Sequence, residues 1–175
     1  MLLKIVFVAV AVAVGLVLAV AIIGALLPKG HAASRSVRVH RTPLEVWATV
    51  HDVDRFAAWR PGIKTVERLP GAEARPRWKE VGAHGAITFE MVEATPPSKL
   101  VTRIADPSQP FGGTWTYVIA PDPDGSTLTI TEHGEVYNPV FRFMSRFVFG
   151  HTATIDEYLR ALGKKFGEDL RPTAA

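Results

Sequence analysis

Glu132 is the residue of this chain whose type and place could most plainly do chemistry. It ends the run Thr127-Leu128-Thr129-Ile130-Thr131-Glu132. Alternate residues of a strand share a face, so Glu132 keeps phase with Leu128 and Ile130 and is expected to point inward. A buried carboxylate is costly unless it is paired, hydrogen-bonded or protonated. An inward Glu132 therefore has two chemical uses: anchoring a ligand hydroxyl or amine, or acting as a general acid/base. The alternative is a strand-end carboxylate that reaches solvent or satisfies backbone donors nearby. His151 is the second acid/base candidate, about 60° off the apolar stripe of the last helical segment.

Other chemistries are poorly served. The histidines at 31, 40, 51, 84, 133 and 151 show no HExxH or other metal-ligand spacing, and neither a metal nor a cofactor is expected. His133 has an outward phase, His84 sits in a Gly82–Gly85 turn, and His51 ends a short helix where its partial charge suits the C-terminal dipole. With no cysteine, disulfides, Cys-ligated zinc and thiol catalysis are excluded. No nucleophile elbow, Ser/His/Asp arrangement, phosphate-cradling loop or dinucleotide fingerprint is present. Gly112-Gly113 precede a strand, not a helix, so Asp106 to Gly113 reads as a mobile loop. Glu90 and Arg103 fall on adjacent strands with outward phase and suggest a cross-strand ion pair worth under about 1 kcal/mol. The net charge of +3 is spread among acidic residues without a dense basic run, which argues against nucleic acid.

The elements that must position these residues begin with an uninterrupted apolar run from Ile5 to Leu27. It is long enough to span a ~30 Å hydrocarbon core as a helix. The competing reading is a signal peptide cleaved at Gly30-His31-Ala32, although the run is longer than the usual h-region of about 7–15 residues. Residues 1–30 are therefore expected to be a retained single-pass anchor and linker. Lys29, Arg35, Arg38 and Arg41 outnumber Lys4, so the positive-inside rule places the following domain on the cytoplasmic face.

Ser34 to His40 reads as a first strand, only about six residues beyond the anchor, a reach of roughly 20 Å. Thr42-Pro43-Leu44-Glu45 is a capping box with proline at the first helical position. It opens a short helix, and a second short helical piece covers Val53 to Trp59. The period then changes from 3.6 to 2. Strands are expected at Ile63–Leu69, Arg77–Val81, Ala86–Ala94, Lys99–Ala105, Thr114–Ala120 and Ser126–Tyr137. The short turn-forming breaks between them imply hairpins and an antiparallel sheet. Asn138 and Pro139 then start what reads as one helix to Glu168, roughly 45 Å long at about 1.5 Å per residue. Phe141, Met144, Val148, Ile155, Leu159, Leu162 and Phe166 form its apolar stripe. Arg142, Arg146, Glu157, Arg160 and Lys164 lie opposite, and Asp156 to Arg160 is an i,i+4 pair.

Strand, two helices, six strands and a long helix, in that order, resemble the START-like or SRPBCC superfamily, particularly its polyketide cyclase/dehydrase and lipid-transport branch. The resemblance is carried by Val37-Arg38-Val39-His40-Arg41-Thr42-Pro43-Leu44-Glu45-Val46-Trp47, by Asp52-Val53-Asp54-Arg55-Phe56 with Trp59, and by Ile87-Thr88-Phe89-Glu90 before Pro96-Pro97. Thr127 to Glu132 running into the final helix completes it. It implies an α+β helix-grip fold, in which a curved antiparallel sheet of about seven strands surrounds a long C-terminal helix and encloses a cavity for an apolar ligand. That domain would occupy residues 31–170, with 171–175 a disordered tail.

On this reading the ligand-binding residues are Trp59, Trp78, Phe89, Thr102, Trp115, Tyr117, Glu132, Phe141, Met144 and Val148, with Glu132 and His151 as weak catalytic candidates. An ordinary packed core is the competing account of the same apolar face. Three functions stay open. The favoured one is a membrane-tethered, non-enzymatic binder of a lipid, quinone or polyketide-like molecule. The others are a cyclase or dehydratase using Glu132, and a protein-interaction module with a filled cavity. Phe143, Phe147 and Phe149 lie outside the stripe. They are covered by neighbouring elements, or they touch the lipid interface beside residues 5–27.

Overall fold

The computed structural model describes residues 1–71, 75–83 and 85–175; His84 lies outside them. The apolar run forms α1 (Leu2–Leu26), a helix long and apolar enough to cross a membrane. Only Leu27, Pro28 and Lys29 separate it from β1 (Gly30–Val39). The first strand thus starts earlier than Ser34, because Gly30 to Ala33 pair in unbroken register with Glu135 to Glu132.

Thr42 and Glu45 make the reciprocal capping box that opens α2 (Pro43–His51), and Val53–Arg55 forms a single 3₁₀ turn before α3 (Phe56–Trp59). The strands β2 (Ile63–Leu69), β3 (Arg77–Gly82), β4 (Gly85–Thr95), β5 (Lys99–Ile104), β6 (Phe111–Asp122) and β7 (Gly125–Val136) then follow as successive hairpins. Phe111 to Gly113, expected in a loop, belong to β6 because they pair with Val136 to Gly134. Every neighbouring pair is antiparallel. Breaks of register at Ile63/Thr65 and Met91/Glu93 add local bend and twist, as bulges do, and help the sheet curl. The terminal residues, expected to be disordered, carry β8 (Thr173–Ala174), paired with Ser36 and Arg35. The described sheet therefore has eight strands, in the order β2-β3-β4-β5-β6-β7-β1-β8.

The C-terminal helix is not continuous. Asn138 caps α4 (Pro139–Met144) through Oδ1, which accepts from Val140 and Phe141 N–H at 2.9 and 3.2 Å. A wide turn covers Ser145–Phe149, Gly150 adopts φ 74° and ψ 169°, and α5 runs from Ala153 to Phe166. A positive φ is open to glycine at no steric cost, and here it ends the helical path and resets its phase. Ile155, Leu159 and Leu162 of α5 are fully buried against Val39, Leu128 and Ile130 of the sheet and Val46 and Val50 of α2. Phe141 and Val148, expected on the same stripe, are mostly exposed. Asp156 reaches Arg35 of β1 at 2.9 Å. Arg142, expected on the polar face, is buried.

Candidate functional site

Between the concave face of the sheet, α2, α3 and the Phe141–Thr154 segment lies a cavity of about 570 Å³. Strand periodicity sets its walls. Trp78 and Glu80 of β3, Ile87 and Phe89 of β4, Thr102 of β5, Trp115 and Tyr117 of β6 and Glu132 of β7 all face it. Trp78 stacks on Phe89 at 5.7 Å between ring centroids, and Trp115 lies 6.1 Å from Tyr117. Burial pushes the Tyr117 hydroxyl well above its ordinary range, so it stays a neutral group. Glu135, Phe141, Phe149 and Gly150 are exposed lining residues on one side of the rim; Gly62 and Gly85 are exposed on the other.

Polar groups gather at two places. At the first, Glu80 accepts from Arg60 Nη1 at 3.0 and 2.9 Å and from Trp78 Nε1 at 3.0 Å. The Arg60 guanidinium also lies over the Phe56 and Tyr158 rings, at 4.8 and 5.2 Å. The charge of each partner is thereby matched within the wall.

The second place is built around Glu132. Its carboxyl oxygen lies 3.6 Å from His31 Nε2 of β1. His31 in turn stacks on His151 at 3.9 Å, and His151 Nδ1 shares a 3.0 Å hydrogen bond with Ser145. Burial raises the Glu132 pKa, with Trp115 partly opposing. Burial also lowers both imidazole pKa values, helped at His31 by His151 and at His151 by Arg146. Both rings are accordingly neutral at pH 7. The result is a carboxyl that burial makes hold its proton more tightly than usual, beside imidazoles that burial makes hold theirs less tightly, an arrangement able to accept or return a proton or to bind a donor. Among the described residues no group of three or more His, Cys, Asp or Glu side chains is arranged to hold a metal ion.

This arrangement predicts a pH-dependent stability difference. A raised carboxyl pKa means that the folded state holds the proton better than the unfolded chain does. Stability from Glu132 is then fully present below its ordinary pKa and is lost as pH rises through the folded value. Glu132→Gln carries no such loss. It should melt a few degrees above the parent at pH 8, with the gap closing toward pH 4; a variant that melts lower at pH 8 would show Glu132 to be satisfied in place.

Of the residues expected in the site, Trp78, Phe89, Thr102, Trp115, Tyr117, Glu132 and Phe141 border the cavity, as does His151. Trp59, Met144 and Val148 do not. Trp59 turns edge-on to Tyr158 at 5.2 Å, and the break at Gly150 carries Met144 and Val148 out of phase with the α5 stripe. Glu90 is bound by Arg103 at 3.1 and 2.8 Å, and that hydrogen bonding holds its carboxyl below the usual range.

Arg60, Glu80, His31 and Ser145 are lining residues that sequence reasoning did not select. Glu80 carried a usable signal, since it lies two residues from inward-facing Trp78. His31 carried none, because Gly30 to Ala33 have no apolar alternation.

Solved structures with this architecture support the fold assignment. A START superfamily protein from Mycobacterium smegmatis matches with a TM-score of 0.60 and 18% identity, covering 78% of this chain and 97% of that one. A protein from Thermus thermophilus matches with a TM-score of 0.61 and 17% identity, covering 78% and 96%. The di-domain ARO/CYC StfQ from the steffimycin biosynthetic pathway matches with a TM-score of 0.61 and 13% identity over 75% of this chain. This chain spans 49% of StfQ. At such identities the likeness shows a shared START-like fold. No curated protein matches by sequence. The family model described as "Polyketide cyclase / dehydrase and lipid transport" matches residues 30–167, nearly the whole domain that follows α1, and the chain belongs to that family.

Proposed function

We propose that this chain is a membrane-tethered binding protein for a hydrophobic small molecule. Residues 1–30 act as the tether and linker, and residues 31–170 act as the binding domain. The carrying observation is the cavity of about 570 Å³, within the range of small-molecule sites and, like them, apolar with a few convergent polar groups. Trp78, Phe89, Trp115, Tyr117 and Phe141 supply apolar contact, worth about 25 cal/mol per Å² of ligand surface buried. Thr102 and Glu132 fix its orientation. The family joins lipid transport to polyketide cyclase and dehydrase chemistry.

The test is native mass spectrometry of the full chain released from detergent, followed by organic extraction. The parent should carry a stoichiometric apolar adduct. Ile87→Trp, which fills the cavity from β4, should lose it while keeping its far-ultraviolet circular dichroism. An adduct retained by a folded Ile87→Trp chain would place the molecule outside the cavity.

A second reading, acid/base catalysis on a polyketide-like substrate, rests on the raised Glu132 pKa beside His31 and His151. Loss of turnover with retained binding in Glu132→Gln supports it; unchanged binding without turnover in the parent supports the binder.

A further inference from the structure

The junction between α1 and the domain is built, not merely connected. The last carbonyls of a helix lack intrahelical partners, and a cation near them is favoured by the helix dipole. Arg142 of α4 meets both needs. Its Nη1 donates to the carbonyls of Gly24, Ala25 and Leu27 at 3.1, 3.4 and 2.9 Å. Its remaining donors hold the strand-to-helix corner, Nε to the Val136 carbonyl and Nη2 to the Tyr137 carbonyl, each at 3.0 Å. One side chain thus ties the end of α1 to the start of α4. Gly24, the buried residue of α1, lies directly against Pro139, where a Cβ would collide with the Pro139 carbonyl. The Val136 N–H also donates to the Lys29 carbonyl at 2.9 Å.

That contact fixes depth. Gly24 lies within one turn of the end of the apolar run, about 5 Å at the helical rise. With α1 in a bilayer, α4 therefore sits at the boundary of headgroups and acyl chains. The surface presented there by Tyr137 to Phe149 is mostly apolar: Tyr137, Val140, Phe141, Phe147, Val148 and Phe149 are all exposed, the last three by about 60%, with Arg146 exposed among them. Phe141 and Phe149 are also rim residues of the cavity. The chain register agrees, since Gly30 of β1, Phe111 of β6 and Val136 of β7 all lie at the α1 end of the sheet.

We propose that Tyr137 to Phe149 form a lip that inserts into the lipid surface beside α1, locked there by Arg142 and Gly24. The cavity then loads directly from the bilayer that holds the chain. Burial of about 5–10 Å is usual for interfacial helices, and the exposed aromatics are placed to reach it. This rests on the proposed membrane span and binding cavity, but its test does not depend on a ligand.

Because the chain lacks cysteine, a single nitroxide label is easily introduced. Full chains carrying Phe147→Cys or Asp124→Cys are reconstituted into phosphatidylcholine vesicles. Asp124 marks the β6–β7 turn, about 35 Å along β7 from the lip at the usual strand rise. The label at 147 should collide with oxygen more than with a water-soluble nickel chelate, by a ratio several-fold above that at 124. Equal ratios would overturn the proposal. So would a label at 147 shielded from both reagents, the mark of a protein partner or second copy, or a chain that fails to float with vesicles. Arg142→Gln in the 147-labelled chain should lower the ratio toward that at 124, and an unchanged ratio would remove Arg142 as the lock. If Arg142→Gln does not fold, Gly24→Val opens the same junction from α1 and is read identically. Ligand extraction from the unlabelled chain is independent, so loss of the lip and loss of the binding function give different results.

Discussion

Arg60→Ala should destabilise the domain by about 3–5 kcal/mol, the usual cost of removing one partner of a buried ion pair. Glu80 is 5% exposed and would keep only the Trp78 indole as a donor. The two bonds at 3.0 and 2.9 Å would be lost together with the guanidinium that caps the Phe56 and Tyr158 rings. Thermal unfolding of the full chain in detergent measures it. For a domain of this size about 1 kcal/mol shifts the midpoint by roughly 2–4 °C, so a fall of around 10 °C is expected. A drop of only 1–2 °C, on the order of a surface pair, would mean that Glu80 is solvated. The double variant Arg60→Met/Glu80→Leu should recover most of the loss, because apolar residues of similar size replace a buried pair at little cost. It should also make the cavity wall wholly apolar at that end. Ligand retained by the double variant would assign the pair to architecture; ligand lost would make it a recognition element.

Leu159→Ala should cost about 3–5 kcal/mol, the range for a fully enclosed leucine whose neighbours cannot close the gap. Leu159 is wholly buried, with Ile155 and Leu162 one turn away on the same face of α5. Val148→Ala should stay within about 0.5 kcal/mol, as surface changes usually do, since Val148 is 58% exposed. Equilibrium unfolding of both variants in one detergent separates them. Similar losses would mean that the segment before Gly150 packs as tightly as the segment after it.

That contrast also shows where sequence reasoning reached and where it stopped. The caps at Thr42–Glu45 and Asn138 were legible because capping involves residues within one turn. The inward faces of β3, β6 and β7 were legible because their period of two is regular, and Trp78, Trp115 and Glu132 all follow it; beside the β4 bulge, neighbouring Glu90 and Met91 are both buried. The break in the C-terminal helix was not: Phe141, Met144, Val148 and Ile155 match a continuous 3.6-residue period, and one glycine among them signals a break only weakly. Arg60 and Glu80 are 20 positions apart, and their pairing exists only once α3 is packed over β3. Arg142 was assigned to a polar face by projection, yet the end of α1 supplies carbonyls that only the folded arrangement brings to it.

The three-residue connection from α1 to β1 limits how the proposed membrane-tethered binder can work. Leu27, Pro28 and Lys29 span at most about 10 Å even fully extended, and Lys29 is already hydrogen-bonded to the sheet. If the chain is the membrane-tethered binder proposed above, a domain on so short a leash cannot ferry cargo across an aqueous gap to a distant membrane. With α1 in a bilayer, the proposed binder would be a fixed station on one leaflet, placed to extract, shield, alter or present a molecule drawn from its own surroundings. Any onward delivery requires the recipient to travel to it.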